Sequence, residues 1–110
     1  MEKLKDKLEQ LKVLQSNLEM VVFQKHTLQS QLNEIENALK EIDKMDKEEV
    51  YKLVGNLLIK KSKEEVKKEL LDRKEVIEIR LESLNKQEEK IREKITKLQA
   101  EIMRLSKNAG

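Results

Sequence analysis

The sequence contains no cysteine, no proline and no tryptophan, and only two glycines among its 110 residues. The absence of cysteine excludes disulfide bridges, thiolate metal sites and cysteine nucleophiles. The single histidine, His26, is too few for a multi-histidine metal site. Scarce helix breakers combined with abundant Glu, Lys and Leu are typical of long helices or coiled coils. We therefore predict an elongated, mainly α-helical protein.

Long apolar runs and an excess of charge of one sign are also missing. The longest apolar run, Met20–Phe23, is far shorter than the ~20 residues of a membrane span, and the start MEKLKDKLEQ has no apolar core of a secretory signal. Interleaved charges, 24 basic and 22 acidic, leave no basic patch for nucleic acid. The sequence therefore predicts a soluble, cytoplasmic protein without a membrane or nucleic-acid partner.

Enzymatic chemistry has no support either. The carboxylates fall on solvated faces of predicted helices, where nothing would raise a pKa for general acid–base catalysis. Neither Gly55 nor Gly110 belongs to a phosphate-binding motif. We assign no catalytic residue, no metal ligand and no cofactor.

Two stretches show apolar residues at alternate spacings of three and four, the a/d seam of a coiled coil. The first seam comprises Leu4, Lys7, Leu11, Leu14, Leu18, Val21, Lys25, Leu28, Leu32, Ile35, Leu39 and Ile42. The second comprises Lys67, Leu70, Lys74, Ile77, Leu81, Leu84, Glu88, Ile91, Ile95, Leu98, Ile102 and Leu105. These patterns predict helices over 2–44 and 63–106, the first roughly 60–65 Å long.

The middle of the chain interrupts this pattern. Residues 46–49 are suited to a short helical turn, and the apolar runs that follow flank Gly55-Asn56, which favours a β-hairpin over 50–61. Ser62 and Glu65 form a capping box for the second helix, in which the Ser62 hydroxyl accepts from the Glu65 amide and the Glu65 side chain reaches back. A continuous helix through this region is the alternative. We interpret 1–110 as one domain.

Two helices of equal seam length joined by a short hairpin are expected to fold back antiparallel. Facing seam positions then have numbers that add up to about 109, so that Leu32 lies near Ile77 and Leu39 near Leu70. This register brings both chain ends to one tip, with the hairpin at the other end. It also places Lys25 within about one helical turn of Glu88, and we hypothesise that these two residues pair and help to fix the register.

The hairpin has apolar side chains on both faces if its loop has two residues. An isolated two-stranded hairpin is marginally stable in water, and its open edges favour pairing with further strands. We therefore expect the hairpins of several chains to join into a shared sheet or barrel; the alternative is a hairpin that only caps its own coiled coil. The predicted assembly residues are Val50, Tyr51, Leu53, Val54, Gly55, Leu57, Leu58 and Ile59.

The run EVYKLVGNLLIKKSKEE, followed by a helix containing RLESLNKQEEKIREKI, resembles the β-type subunit of prefoldin, and the Lys/Glu-rich composition suits an archaeal member. The most specific part is Tyr51–Lys60, and the order helix, single hairpin, helix covers essentially the whole chain. The resemblance implies a hetero-hexamer of two α-type and four β-type subunits whose hairpins form a double β-barrel. It further implies ATP-independent holding of unfolded polypeptides between the coiled-coil tips and their transfer to a group II chaperonin.

A tip that holds clients needs apolar side chains that its own coiled coil does not fully bury. The candidates are Leu4, Leu8, Leu11, Leu14, Leu98, Ile102, Met103 and Leu105. Leu8 and Met103 lie off the seam, and methionine adapts to varied partners, so these two are the stronger candidates. The alternative is that all eight pack the coiled coil, in a structural or tethering protein without chaperone activity.

Overall fold

The computed structural model describes residues 2–109 and contains two long helices joined by a β-hairpin. Helix α1 is Glu2–Asp43, strand β1 is Glu49–Val54, strand β2 is Leu57–Ser62, and helix α2 is Lys63–Ala109. The strands form a two-stranded antiparallel sheet. The predicted fold class, a long antiparallel helix pair with one short hairpin, is confirmed.

The element bounds differ in detail from those predicted. Helix α1 ends one residue early, where the Lys44 and Met45 amides donate to the Glu41 and Ile42 carbonyls in a tight final turn. The predicted helical turn at 46–49 is wrong, because residues 45–47 are irregular and Glu49 already pairs in β1. The hairpin is one residue longer at each end than predicted, and helix α2 continues to Ala109.

The start of helix α2 forms one of the two hydrogen bonds of the predicted capping box. The Glu65 amide donates to the Ser62 hydroxyl at 3.1 Å, which satisfies one of the amides that a helix N-terminus leaves without a partner. Among the described residues, no hydrogen bond returns from the Ser62 amide to the Glu65 side chain. Ser62 is still the last residue of β2, so its backbone follows the strand.

The contacts divide the chain into two compact units. The hairpin unit is Leu28–Leu81, and the terminal unit consists of the chain up to Thr27 together with the chain from Glu82 onward. The interpretation of 1–110 as a single domain stays a prediction.

The hairpin unit is held together by an apolar cluster between the two helices. Leu32 and Ile35 of α1 and Ile77 of α2 form its centre, and Ile35 is only 4% exposed. Four partly buried residues complete the cluster: Leu28, Leu39, Leu70 and Leu81. Every one of these residues belongs to a predicted seam, so the antiparallel register predicted for this unit is confirmed.

The terminal unit follows the same seam, with charged pairs inserted between apolar residues. Val21, Leu84 and Leu98 are buried. Lys25 lies 2.6 Å from Glu88, and Lys7 lies 2.6 Å from Glu101. The predicted pairing of Lys25 with Glu88 is confirmed as a contact, and its effect on register stays a prediction.

Candidate assembly and client-binding surfaces

The hairpin turns at Gly55, whose φ of +60° lies in the left-handed region that favours glycine. Asn56 has a negative φ, so the two-residue loop is of the II′ kind, with glycine at the first central position. The hairpin pairs Val54 with Leu57, Leu53 with Leu58, Lys52 with Ile59 and Tyr51 with Lys60, which is the register that a two-residue loop imposes.

This register gives the hairpin two different faces, because paired residues point to the same side of a sheet. The helix-facing side carries Val50, Lys52, Val54, Leu57, Ile59 and Lys61, and the open face carries Glu49, Tyr51, Leu53, Leu58, Lys60 and Ser62. Only Val50 is buried. On the open face, Tyr51, Leu53 and Leu58 are each 68% exposed. The chain therefore covers one end of one hairpin face and leaves the rest of its apolar surface open.

A carboxylate on α2 holds the helix-facing side of the hairpin. Glu69 accepts from Lys52 of β1 at 2.9 Å and from Lys61 of β2 at 2.7 Å. The hydrogen bonds from these two ammonium groups lower the pKa of Glu69 to about 2, and the bond to Glu69 raises the pKa of Lys61. This three-residue contact, the Glu69 clamp, fixes both strands against the same helix.

The Glu69 clamp was not predicted, although the sequence contains a signal for it. In the predicted hairpin register Lys52 and Lys61 fall on the same face, and Glu69 lies about two helical turns beyond Ser62. Only the angle between the hairpin and α2 brings the three together, and the sequence does not specify that angle.

A second set of polar contacts closes the hairpin unit where α1 ends. Lys67 lies 3.1 Å from Asp43, and the hydrogen bond to Asp43 raises the pKa of Lys67. Lys63 donates to the Met45 carbonyl at 2.9 Å. Lys67 thus contacts the last residue of α1, and Lys63 contacts the first residue of the irregular segment 45–47.

The eight predicted client-binding residues fall into three groups in the terminal unit. Leu98 is buried and packs the coiled coil. Leu8 is 44% exposed and Met103 is 63% exposed, the two residues singled out by their off-seam positions. The remaining five are half-buried: Leu4, Leu11, Leu14, Ile102 and Leu105.

A shallow groove of about 730 Å³ lies beside these residues in the terminal unit. Val13, Leu14 and Leu98 supply its apolar lining. Its charged lining includes Lys7 and Glu101, and the hydrogen bond from Lys7 lowers the pKa of Glu101. An apolar floor with a charged border suits a peptide segment better than a small ion.

Exposed apolar residues also lie outside the predicted sites. In the terminal unit these are Val13, Met20 and Phe23 of α1, and in the hairpin unit Met45 together with Leu71, Val76 and Ile79 of α2. Their sequence signal is simple: each is apolar and lies off the predicted seam, so nothing in the chain's own coiled coil covers it.

Two further features, clusters of metal-ligating side chains and membrane-spanning helices, are absent from the described residues. No cluster of three or more His, Asp or Glu suited to a metal ion occurs in the part of the chain that is described. Neither described helix contains a segment apolar and long enough to cross a membrane.

The fold and its surfaces define a class of protein: an antiparallel helix pair with an apolar hairpin that the single chain leaves uncovered. Comparison with known families narrows this class. The model of the Prefoldin subunit family matches residues 5–109. The chain therefore belongs to the prefoldin family.

The individual relatives are β subunits. The prefoldin subunit beta of Archaeoglobus fulgidus is 45% identical over 103 residues, covering 92% of this chain and 89% of its own. The prefoldin subunit beta of Pyrococcus furiosus is 45% identical over 94 residues, which cover 84% of this chain and 80% of the relative. The crystal structure of the prefoldin beta subunit from Thermococcus strain KS-1 aligns with a TM-score of 0.87 at 38% identity, covering 94% of this chain and 91% of that one. The resemblance to β-type prefoldin subunits is thus confirmed.

Proposed function

We propose that this chain is a subunit of a cytoplasmic prefoldin hetero-hexamer, assembled from two α-type and four β-type subunits, and that it has no enzymatic activity. In this complex it acts as an ATP-independent holdase that binds unfolded polypeptides at the coiled-coil tips. The held client is then transferred to a group II chaperonin.

The observation that carries the proposal is the exposed hairpin. Tyr51, Leu53 and Leu58 leave most of their surface in water on one face, and the outer edges of β1 and β2 pair with no further strand in the described part of the chain. Exposed edges and apolar faces of this kind favour pairing with further strands. A shared β-barrel formed with other subunits would satisfy both the edges and the open face.

Client holding would use the exposed apolar side chains near the chain ends. Leu8 and Met103 project outside the seam, and burying each against a client contributes on the order of 1 kcal/mol. Single contacts of this size are weak, but contacts from several arms of one complex reinforce each other through effective concentration. Such binding needs no ATP, and it stays reversible because each contact opens independently.

Native mass spectrometry tests the assembly. Mixing the chain with an α-type prefoldin subunit is expected to produce a complex with two α-type chains and four copies of this one. The variant Leu53→Ser/Leu58→Ser is expected to prevent the complex, because it makes the open face of the hairpin polar. A native mass that does not change when the α-type subunit is added would favour the alternative, a structural or tethering coiled coil.

Client holding is tested separately by suppression of aggregation of a denatured protein. The assembled variant Leu8→Ser/Met103→Ser is expected to lose much of the suppression while keeping the hexamer mass. A control variant, Leu71→Ser/Val76→Ser, removes similarly exposed apolar residues from α2 and is expected to keep it. Unchanged suppression by the Leu8/Met103 variant would contradict the assigned tip site.

A further inference from the structure

Helix α1 carries an uncharged stripe outside the coiled-coil seam. In a chain with 42% charged residues, residues 13–27 contain only Glu19 and Lys25. Lys25 is neutralised in the seam by Glu88 at 2.6 Å. The α1 stripe comprises Val13, Ser16, Met20, Phe23 and Thr27, which alternate at spacings of three and four and therefore share one helix face.

The apolar members of the α1 stripe are strongly exposed. Phe23 is 72% exposed, and Val13 and Met20 are each 59% exposed. Thr27 adds little polarity, because its hydroxyl donates to the Phe23 carbonyl at 3.1 Å within the helix. A surface with a large aromatic, a methionine and no charge is unusual on a helix whose other outward positions are mostly charged, and exposed apolar surface of this kind marks an interaction site.

We propose that the α1 stripe binds an extended apolar segment of a non-native polypeptide, as a second contact beyond the tip residues Leu8 and Met103. This inference rests on the proposed holdase function. Val13 belongs to the stripe and also lines the groove of about 730 Å³ beside Leu14 and Leu98, so the stripe continues from the tip groove along α1.

The dimensions and chemistry of the α1 stripe favour this occupant. The distance from Val13 to Phe23 along the helix is about 15 Å, which matches roughly four or five residues of an extended chain. A non-native segment has no fixed pattern of charges, so an uncharged stripe accepts it without pairing requirements. Methionine at the centre adapts its shape to varied side chains.

A second copy of this chain fits the α1 stripe less well. Helix pairing in a coiled coil requires apolar residues sustained over three or four heptads. The stripe has three apolar residues over two heptads, interrupted by Ser16 and ended by Thr27. Pairing of two copies along this face would therefore bury polar positions without partners.

Binding of reduced, carboxymethylated α-lactalbumin, which stays unfolded, tests the proposal in the assembled complex. The complex with the variant Met20→Gln/Phe23→Gln is expected to bind the unfolded α-lactalbumin roughly tenfold more weakly, because two exposed apolar side chains are removed. The control Val76→Gln/Ile79→Gln removes two exposed apolar residues from α2 and is expected to bind within about twofold of the unchanged complex. Both variants keep helix-forming residues at exposed positions, and native mass verifies assembly.

Photo-crosslinking identifies the occupant directly. A benzoylphenylalanine at position 23 is expected to crosslink to the unfolded α-lactalbumin, whereas the same group at Gln29, which is exposed on α1 but lies off the stripe, is not. Equal binding by the Met20/Phe23 variant and the unchanged complex, or crosslinks from position 23 to another subunit only, would overturn the proposal while leaving the tip function intact. If the unchanged complex does not bind the probe, the proposed holdase function itself fails.

Discussion

The coiled-coil seam and the hairpin are built from the same kinds of side chain, yet most of the buried apolar residues lie in the seam, and Val50 is the one buried residue of the hairpin. In the hairpin unit, Leu32, Ile35 and Ile77 are buried between α1 and α2. In the same unit, Leu53, Leu57 and Leu58 are each 68% exposed. A helix has one apolar stripe, which a second helix covers, whereas this hairpin has apolar residues on both faces and the helices reach only part of one. Stability within the chain and capacity for assembly therefore reside in different residues.

The largest effect is expected on the free energy of unfolding, which should depend on the buried seam residues far more than on the exposed hairpin residues. Ile35→Ala removes a side chain that is 4% exposed and is expected to lower the free energy of unfolding by about 2–4 kcal/mol. Leu53→Ala, at an exposed hairpin position, is expected to cost less than about 0.5 kcal/mol in the unassembled chain. Urea unfolding followed by circular dichroism measures both. Similar costs for the two variants would show that the hairpin is stabilised within the single chain.

An intermediate effect is expected at the polar position of the seam. Glu88 accepts from Lys25 at 2.6 Å and from Arg92 at 2.8 Å, and both hydrogen bonds lower its pKa. Lys25→Leu leaves Glu88 without its partner on α1, so the melting temperature is expected to fall by a few degrees. The double variant Lys25→Leu/Glu88→Leu is expected to recover the melting temperature, because two apolar residues then meet in the seam.

The register is the sharper readout of the Lys25–Glu88 pair. A cysteine pair at Leu18 and Ile91 reports the native register through disulfide formation, and a pair at Leu18 and Leu84 reports a register displaced by one heptad. The double variant is expected to form more of the displaced disulfide than the unchanged chain, because an apolar seam no longer distinguishes the two registers. An unchanged register in the double variant, or an unchanged melting temperature and register in Lys25→Leu, would refute a register-fixing role.

The smallest expected effect concerns the Glu69 clamp, which connects the buried and exposed parts of the hairpin unit. The pKa of Glu69 is lowered from 4.5 to about 2 by its bonds to Lys61 and Lys52. A lowered pKa in the fold means that this stabilisation is present above about pH 4.5 and is lost as the pH falls toward 2. Glu69→Gln is therefore expected to lower the melting temperature slightly at pH 7, with the difference from the unchanged chain shrinking below pH 4.5.

The neighbouring charges allow a control for the clamp. Glu65 acts on Lys61 through its charge but is not hydrogen-bonded to it, so Glu65→Gln is expected to lower the melting temperature less than Glu69→Gln does. Hydrogen exchange of the β1 amides localises the effect to the hairpin. A Glu69→Gln difference that persists unchanged at low pH would show that the carboxylate charge is not what holds the strands.

The sequence alone predicts the helices, the hairpin register and the seam, because each depends on a short-range pattern. The spacing of Leu32, Ile35 and Ile77 predicts their common cluster, and Gly55-Asn56 predicts a two-residue turn. It also separated Leu8 and Met103 from the packed tip residues, since both lie off the seam. The error at 46–49 has a local cause: Glu49 pairs in β1, and the Glu48 carbonyl accepts from the Lys63 amide at the start of α2.

Which apolar surface of the hairpin remains exposed depends on the tertiary structure. Whether Val50 is buried and Tyr51 exposed depends on which side of the hairpin α2 approaches, and the Glu69 clamp sets that side by joining residues of β1, β2 and α2. Periodicity reports which residues share a face, but the distances between elements that are far apart in sequence determine which faces meet.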